Sequence, residues 1–193
     1  MHRVVLAGEL FDQKGSTFGT VKGLSSLRMH SFVTATIASQ ILPEKRQQDD
    51  AFVAALLHDI GKLLIAVHMP EHQKLAAEHA KSAGISQHAA ELAVSGVSHA
   101  EVGAYLLGIW GLPYFIVEAV ANHHEPRRVN EPTFGVLGAV YVANILAHAL
   151  VDHSNVELDP AYAAQVGIAE RWLEWKARFG KQIAEIRSRF VGV

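Results

Sequence analysis

The chain has 193 residues, of which 50% are hydrophobic and 19% are charged. This length and composition fit one compact domain with a substantial core, or a helical domain with a short appendage. The formal net charge of −2 gives no general field that would attract nucleic acid. Cysteine is absent from the sequence, which excludes disulfide frameworks and thiolate metal sites, so any metal ion must bind nitrogen or oxygen ligands. Because we find neither a signal-peptide pattern nor an apolar run of about 20 residues, we expect a soluble, cytoplasmic protein without a membrane partner.

Helical patterns dominate the first half of the chain and predict an all-α fold. Residues 4–11 predict a short apolar helix. Residues 24–41 predict a second helix that ends before Pro43, because the residue ahead of a proline disfavours helical geometry. Residues 51–67 are apolar nearly all round, which indicates a buried central helix.

The second half of the chain carries helix boundaries marked by proline, glycine and a capping box. They predict helices from Pro70 to about Gly84, from Ser98 (with Glu101) to Gly111, from Pro113 to His124 and over residues 133–151. The last segment places apolar residues at steps of three and four: Trp172, Trp175, Phe179, Ile183, Ile186 and Phe190. This pattern predicts a helix pair that packs on the core, with a docking or dimerisation surface as the alternative. We expect one domain over residues 1–193, with a core at 24–152 and a C-terminal helical extension at 159–193.

The strongest local signal is the run Leu-His-Asp-Ile-Gly-Lys at residues 57–62, inside the predicted central helix. A buried histidine and aspartate side by side are costly unless they are paired or bound to a metal ion. Adjacent helix positions point about 100° apart, so His58 can bind one ion while Asp59 reaches a second. Gly61 in mid-helix costs roughly 1 kcal/mol relative to alanine, which indicates a close approach to the backbone. Lys62 lies one turn away and can reach a bound anion; a buried His–Asp–Lys network without metal is the alternative.

Other histidines are less specific when taken singly. His30 lies on an apolar helix, where a core histidine with satisfied hydrogen bonds is the simpler interpretation. His99 opens its helix with Gly103 one turn on, where the missing side chain leaves room. His123 and His124 end an apolar helix, whose carboxyl end favours positive charge, including a metal ion. A solvated helix end is the alternative for this pair.

Asn144 lies in the middle of the Ala- and Val-rich helix, where a buried amide needs hydrogen-bond partners. A structural hydrogen bond to a neighbouring loop would satisfy it. Three further histidines in a polar segment are predicted to be scattered surface residues: His72, His79 and His88.

In this order, the residues resemble the HD superfamily of metal-dependent phosphohydrolases, named for the pair present here as His58-Asp59. The resemblance is closer to HDOD domains, which are bacterial signalling modules often attached to receiver or cyclic-dinucleotide domains. It is carried by AFVAALLHDIGKLLI, SHAEVGAYLLGIWGLPYFIVEAVANHHEP and LGAVYVANILAH, and extends over about residues 27–149. The resemblance implies a compact multi-helix bundle around a central buried helix.

The resemblance also implies a set of metal ligands and catalytic residues. The positions that match the first ion's ligands are His30, His58 and Asp59, and those that match the extra histidines of two-metal HD-GYP phosphodiesterases are His99, His123 and His124. Asp59 would also bridge to the second ion. Lys62 matches a lysine thought to touch substrate phosphate, so Asp59 and Lys62 are the implied catalytic residues.

The sequence departs from the family pattern at three places. Asn144 stands where the HD pattern has a metal-binding aspartate, and a neutral amide oxygen is a poorer ligand. The Gly-Tyr-Pro signature after the double histidine is replaced by Arg127, Arg128, Val129 and Asn130. HDOD domains usually carry further helices upstream, so we expect the chain to be a fragment of a longer regulator.

Two functional hypotheses remain open, beside a purely structural domain with buried histidine networks. The first is a metal-dependent phosphohydrolase or phosphodiesterase acting on a phosphorylated small molecule or nucleotide. It would use one or two divalent Fe, Mn, Ni or Zn ions, with Arg127 or Arg128 steadying the anion. The second is a catalytically silent module that docks a signalling protein or an upstream receiver domain. Nucleic-acid binding is disfavoured because no basic stripe or recognised module is present.

Overall fold

A computed structural model describes residues 23–151 and 157–190. Within these ranges every regular element is helical, which confirms the predicted all-α class. The elements in chain order are α1 (Leu24–Ile41), α2 (Lys45–Leu57), α3 (Ile60–His68), α4 (Pro70–Ala83), α5 (Gln87–Ser95), α6 (His99–Ile109), α7 (Tyr114–Asn122), a 3₁₀ turn (Pro126–Arg128), α8 (Val136–Val151), α9 (Pro160–Gln165) and α10 (Ala169–Phe190). The helix predicted over residues 4–11 lies outside the described residues.

Local signals set most of the helix ends. The backbone of Leu42 is extended ahead of Pro43, which ends α1 where the proline predicts. Pro70 lies in the first turn of α4, and Gly84 closes that helix with φ 65°. At the start of α6, the Ser98 side chain and the Glu101 side chain each bond the other's backbone amide, which confirms the predicted capping box.

The predicted central helix is present, but it begins earlier and is broken in the middle. Its two parts, α2 and α3, are separated by His58 and Asp59. The backbone of Asp59 leaves the helical region (φ −102°, ψ 11°), and Lys62 N donates to Asp59 O at 3.0 Å, a tight three-residue turn. The prediction of an unbroken helix is therefore wrong, and the bend places two adjacent polar side chains inside the core.

The buried apolar residues form two clusters. The larger one is built mainly from α1, α2 and α8, with contributions from α7 and the C-terminal helices. The smaller one contains residues of α3, α6 and α7 and Leu57 at the end of α2. The His58–Asp59 bend therefore joins a helix of the larger cluster to a helix of the smaller one.

The C-terminal segment forms the predicted helix pair, α9 and α10. Trp175 and Phe179 are 2% and 0% exposed and lie in the larger cluster, with Trp172 packed against it. These contacts agree with packing on the core. The side chains of Ile183, Ile186 and Phe190 lie outside the part of the chain whose side chains are described.

By length and composition, Lys45–His68 taken as one bent helix can cross a membrane. The pair Gln87–Ser95 and His99–Ile109 passes the same test only if its 82° bend is ignored. Because 61% of the apolar window in Lys45–His68 is buried inside the fold, it has the character of a core helix in a soluble protein.

Candidate metal centre

The fold brings all the predicted metal ligands together at the α2–α3 bend. They form a first group of His30, His58 and Asp59, and a second group of Asp59, His99, His123 and His124. In each group, one potential ligand atom per residue lies within 4.8 Å of all the others. The residues come from α1, from the bend, from the first turn of α6 and from the segment after α7.

Asp59 belongs to both groups and its two carboxylate oxygens face different histidines. Oδ2 lies 3.3 Å from His58 Nε2 and 3.9 Å from His30 Nε2. Oδ1 lies 3.3 Å from His99 Nε2 and 3.8 Å from His123 Nε2. Asp59 is only 1% exposed. This is the arrangement of a carboxylate that can bridge two cations.

Two of the histidines are oriented by their own helices. His58 Nδ1 donates to the carbonyl oxygen of Ala55 at 2.6 Å, and His123 Nδ1 donates to that of Val120 at 2.7 Å. A carbonyl oxygen can only accept, so in each neutral ring the proton is on Nδ1 and the lone pair is on Nε2. The interior end of each imidazole is thus a ligand atom.

These lone pairs lack hydrogen-bond partners among the described residues. Both His58 Nε2 and His123 Nε2 are buried and unpaired. An unsatisfied buried polar group costs about 1–3 kcal/mol. Two acceptors also face each other where His58 Nε2 meets Asp59 Oδ2. A cation between them would satisfy both atoms, so the donor set fits a metal ion.

His99 is oriented by a carboxylate that the sequence did not indicate. Glu91 Oε2 accepts from His99 Nδ1 at 2.6 Å and from His99 N at 2.7 Å. His99 Nε2 is consequently turned inward, 3.0 Å from His124 Nε2. Burial raises the pKa of Glu91, but hydrogen bonds from His99 outweigh this and the pKa lies below its ordinary value. Burial opposes protonation of His99, yet hydrogen bonds to Asp59 and Glu91 raise its pKa.

The remaining ring nitrogens stay neutral in the metal-free protein. Burial, with the neighbouring His58, lowers the pKa of His30 to about 3. Burial and the nearby His99 lower the pKa of His124 to about 2, and burial beside His124 also holds the pKa of His123 well below its ordinary value. Metal binding requires unprotonated imidazoles, so these rings need not lose a proton at neutral pH.

Lys62 contacts the bridging carboxylate from the solvent side. Its Nζ donates to Asp59 Oδ2 at 2.7 Å, and its side chain is 27% exposed. Burial would raise the pKa of Asp59, but His58 and Lys62 nearby hold it well below its ordinary value. Asp59 is therefore ionised, as a metal ligand must be.

Gly61 lets the two sides of the centre meet. A Cβ atom there would overlap the carbonyl oxygen of His99 and lie 2.8 Å from Gly103 N. A Cβ on Gly103 would in turn lie 3.1 Å from Gly61 N. The predicted close approach at Gly61 and the predicted space at Gly103 are both confirmed, and they are the two faces of the same α3–α6 contact.

Asn144 reaches the first group from α8. Its Oδ1 accepts from His30 Nε2 at 2.9 Å, so the predicted partner, a loop, is wrong and the true partner is a histidine of the site. One turn further along α8, the ring of His148 lies 4.3 Å from that of His30. The amide therefore lies beside a candidate ligand atom of the first group.

Arg127 and Arg128 are not brought to Asp59. Arg127 lies 3.7 Å from Asp159, and Arg128 forms an ion pair of 2.7 Å with Glu125, with both arginine side chains more than half exposed. They line a separate cavity of about 460 Å³ that His124 also reaches.

Sequence reasoning missed helix α5 and two residues on it. His88 is 8% exposed and its ring lies 4.5 Å from that of His124, so its assignment to the surface is wrong. Glu91 is 3% exposed. The available signals were Ser86, whose side chain accepts from Ala89 N, and Gly96, which closes the helix with φ 74°.

Comparison with known families decides the relationship. The model of the HDOD domain matches residues 1–126, about two thirds of the chain. The chain belongs to the HDOD family. The match includes the HD pair and the double histidine of this HDOD domain and stops before Asn144, whereas the sequence resemblance ran to residue 149.

One relative matches part of the chain. An uncharacterised protein of Treponema pallidum (strain Nichols) is 27% identical over 111 residues, which are 58% of this chain and 22% of that protein. The chain thus spans about a fifth of the length of that relative.

Crystal structures of three proteins share the fold. An HDOD protein of unknown function from Geobacter sulfurreducens has a TM-score of 0.67 at 23% identity, covering 97% of this chain and 66% of that one. A protein from Shewanella amazonensis SB2B, provisionally described as a phosphohydrolase, has a TM-score of 0.61 at 20% identity, covering 93% and 70%. The MmoQ response regulator of Methylococcus capsulatus has a TM-score of 0.55 at 20% identity, covering 84% and 63%.

Proposed function

We propose that this HDOD domain belongs to a cytoplasmic bacterial signalling protein and is a metal-dependent phosphohydrolase. The observation that carries the proposal is the position of Asp59 between two histidine groups, with buried, unpartnered nitrogens on His58 and His123. When bound, two such cations activate a water molecule and polarise a phosphoryl oxygen. Water then breaks the ester P–O bond, giving an alcohol and phosphate.

Each group would hold one ion. His30, His58 and Asp59 would hold the first; Asp59, His99, His123 and His124 would hold the second. Imidazole nitrogens with a shared carboxylate suit Fe, Mn, Ni or Zn, whereas Mg²⁺ and Ca²⁺ prefer oxygen ligands.

Two residues would act on the substrate side. Asp59 is held ionised and oriented at the junction of the groups, and Lys62, with Nζ 2.7 Å from Asp59, extends toward solvent. Its ammonium group would bind a phosphate oxygen and hold the ester against the centre. Arg127 and Arg128 are left out of this role because they line a separate cavity, which neither Asp59 nor Lys62 lines.

The test is metal analysis of the purified protein, followed by hydrolysis assays. We expect one or two transition-metal ions per chain, with loss of metal in His58→Ala and loss of both metal and turnover in Asp59→Ala. His79→Ala, on α4 and outside both groups, is the matched control and should retain both. Phosphomonoesters, nucleotides and cyclic dinucleotides form the substrate set. Turnover that survives unchanged in Asp59→Ala would refute the proposed hydrolase.

A second function, a catalytically silent signalling module, is favoured by Asn144. A neutral amide occupies the place of the expected carboxylate and bonds His30 Nε2, a ligand atom of the first group. The similarity to a response regulator supports a signalling context, with a partner protein or an upstream receiver domain. Metal-loaded protein that hydrolyses none of the substrate set would favour this function.

A further inference from the structure

A cavity of about 300 Å³ lies against the first group of ligands. His30 and Asp59 line it and are 6% and 1% exposed, so they form its deep end. Lys62 lines the same cavity and is partly exposed. The cavity therefore leads from solvent past Lys62 toward His30 and Asp59 of the first group.

The cavity has apolar lining residues from two helices, together with the polar side chains of Ser26, Gln73 and His148. Leu24 and Leu27 of α1 face it from one side, and Leu63 and Ala66 of α3 from the other. The lysine is the single cationic Lys or Arg side chain among the described lining residues. One ammonium group at the deep end and apolar walls above it match a ligand with one phosphate and an apolar or weakly polar organic group.

The other cavity beside the centre has different chemistry. It is lined by His124, by the two arginines Arg127 and Arg128, and by Tyr141. Asp59 and Lys62 are not among its lining residues. A phosphate ester directed to Lys62 and to an ion held by the first group is therefore better served by the cavity of Lys62.

We propose that the Lys62 cavity selects a small phosphomonoester, with its phosphate at Asp59 and Lys62 and its organic group between the leucines of α1 and Leu63 and Ala66 of α3. The inference rests on the proposed function, since it names the substrate class of the same site. A volume of about 300 Å³ is at the lower end of the range for ligand pockets. It suits a single small ester and is too small to enclose a cyclic dinucleotide, which carries two bases and two phosphates.

The experiment compares binding of phenyl phosphate, inorganic phosphate and a cyclic dinucleotide by titration calorimetry, with and without metal. We expect phenyl phosphate to bind at least tenfold more tightly than inorganic phosphate, because the walls bury its ring. The cyclic dinucleotide should bind more weakly than phenyl phosphate. Lys62→Met should weaken the binding of phenyl phosphate and of inorganic phosphate by the same factor.

Substitutions that fill the cavity distinguish the contribution of its walls to binding from that of its deep end. Ala66→Phe should weaken the binding of phenyl phosphate about tenfold. Its metal content and its affinity for inorganic phosphate should stay within about twofold of the unmodified protein. Ala77→Phe, at an exposed position of α4 that lines none of the cavities described above, is the control and should change nothing. Ser26→Trp, at an exposed lining residue, repeats the test if Ala66→Phe folds poorly.

The outcomes distinguish the two proposals. The cavity assignment would be overturned if the protein binds metal and inorganic phosphate but shows no preference for phenyl phosphate. It would also be overturned if both filling variants retain that preference. Neither result would contradict the metal centre. Tighter binding of the cyclic dinucleotide would also overturn the cavity assignment. If the filling variants abolish selectivity for phenyl phosphate but the protein never retains metal, the cavity assignment is supported. The proposal of a metal-dependent hydrolase is then overturned.

Discussion

The first and second groups share Asp59, yet their histidines are held in different ways. In the second group, His99 is fixed by a buried carboxylate, Glu91, and His123 by a backbone carbonyl. In the first group, His58 is fixed by a backbone carbonyl, but His30 bonds the neutral amide of Asn144. The second group thus has ligand atoms already directed inward, whereas one ligand atom of the first is engaged elsewhere.

This difference indicates which group binds its metal ion more tightly and which group is accessible to a ligand from solvent. Anchored ligands lose less freedom when an ion binds, and a carboxylate behind an imidazole raises its basicity. The second group should therefore bind its ion more tightly. The first group borders the Lys62 cavity and, to accept an ion, must exchange the hydrogen bond from His30 to Asn144.

The largest expected effect comes from separating the groups with Gly61→Ala. The added Cβ would overlap the carbonyl oxygen of His99 and force α3 away from α6. We expect a loss of about 3 kcal/mol or more in the free energy of unfolding, with impaired metal binding. Urea unfolding and metal analysis measure both.

Gly108→Ala is the matched control for that substitution. Gly108 lies in α6 with no neighbour within 4 Å of an added Cβ and without positive φ. It should gain about 0.5–1 kcal/mol from helix propensity. Equal effects at Gly61 and Gly108 would contradict the close contact between α3 and α6.

Glu91→Gln should weaken the second group and spare the first. Loss of the carboxylate charge behind His99 should lower the affinity of the second group's ion roughly 10- to 100-fold. Competition with a chelator measures this affinity. Glu174→Gln, at an exposed position of α10, is the control. If the affinity of the first group's ion falls instead, the assignment of ions to groups is incorrect.

Asn144→Asp should make the groups more alike. A carboxylate beside His30 would raise the affinity of the first group's ion by about tenfold, because it adds a charged ligand. The same carboxylate lies near Asp59, so the metal-free protein should lose about 1–3 kcal/mol of stability. Thermal unfolding with and without metal should show opposite shifts, and shifts of equal sign would count against the idea.

A smaller effect is expected from pH in the metal-free protein. Burial lowers the pKa of His30 to about 3 and that of His124 to about 2, and it also lowers the pKa values of His88 and His123. Below the ordinary histidine pKa, near 6.5, the unfolded chain therefore binds more protons than the folded one. His99, whose pKa is raised, is protonated in both states over this range and so does not offset the difference.

Stability of the metal-free protein should therefore decline as the pH falls from about 6.5 toward 5, by about 1.4 kcal/mol per pH unit for each proton that the unfolded chain binds in excess. Urea titrations at several pH values in the presence of a chelator would show it. A stability that stays level or increases over this interval would mean that the rings are not held neutral.

Local signals predicted the ends of the helices well. Prolines at positions 43, 70 and 113, and the Ser98–Glu101 capping box, act within one turn of the chain, so the sequence alone reveals them. The break at His58 and Asp59 was missed because the run around it is uniformly apolar. At the break, His58 and Asp59 face histidines from other helices, and this surrounding is not visible in the local sequence.

The site was predictable as a set of residues, and only with the family resemblance. No spacing rule brings His30 of α1 to Asp59, or His99 to His123. Glu91 and His88 escaped because their polar neighbourhood indicates a surface helix, whereas packing of α5 near His99 and His124 buries them. Their roles depend on contacts between helices, which local composition does not encode.

His58 and His123 each directly follow the last residue of a helix and bond the carbonyl oxygen three residues back. Each imidazole therefore helps to close the end of its own helix, where carbonyl groups otherwise lack donors. An ion that fixes these rings would also restrain the last turns of α2 and α7. Amide hydrogen exchange in those turns thus becomes a reporter of occupancy: exchange at the end of α2 reports the first group's ion, and exchange at the end of α7 reports the second group's ion.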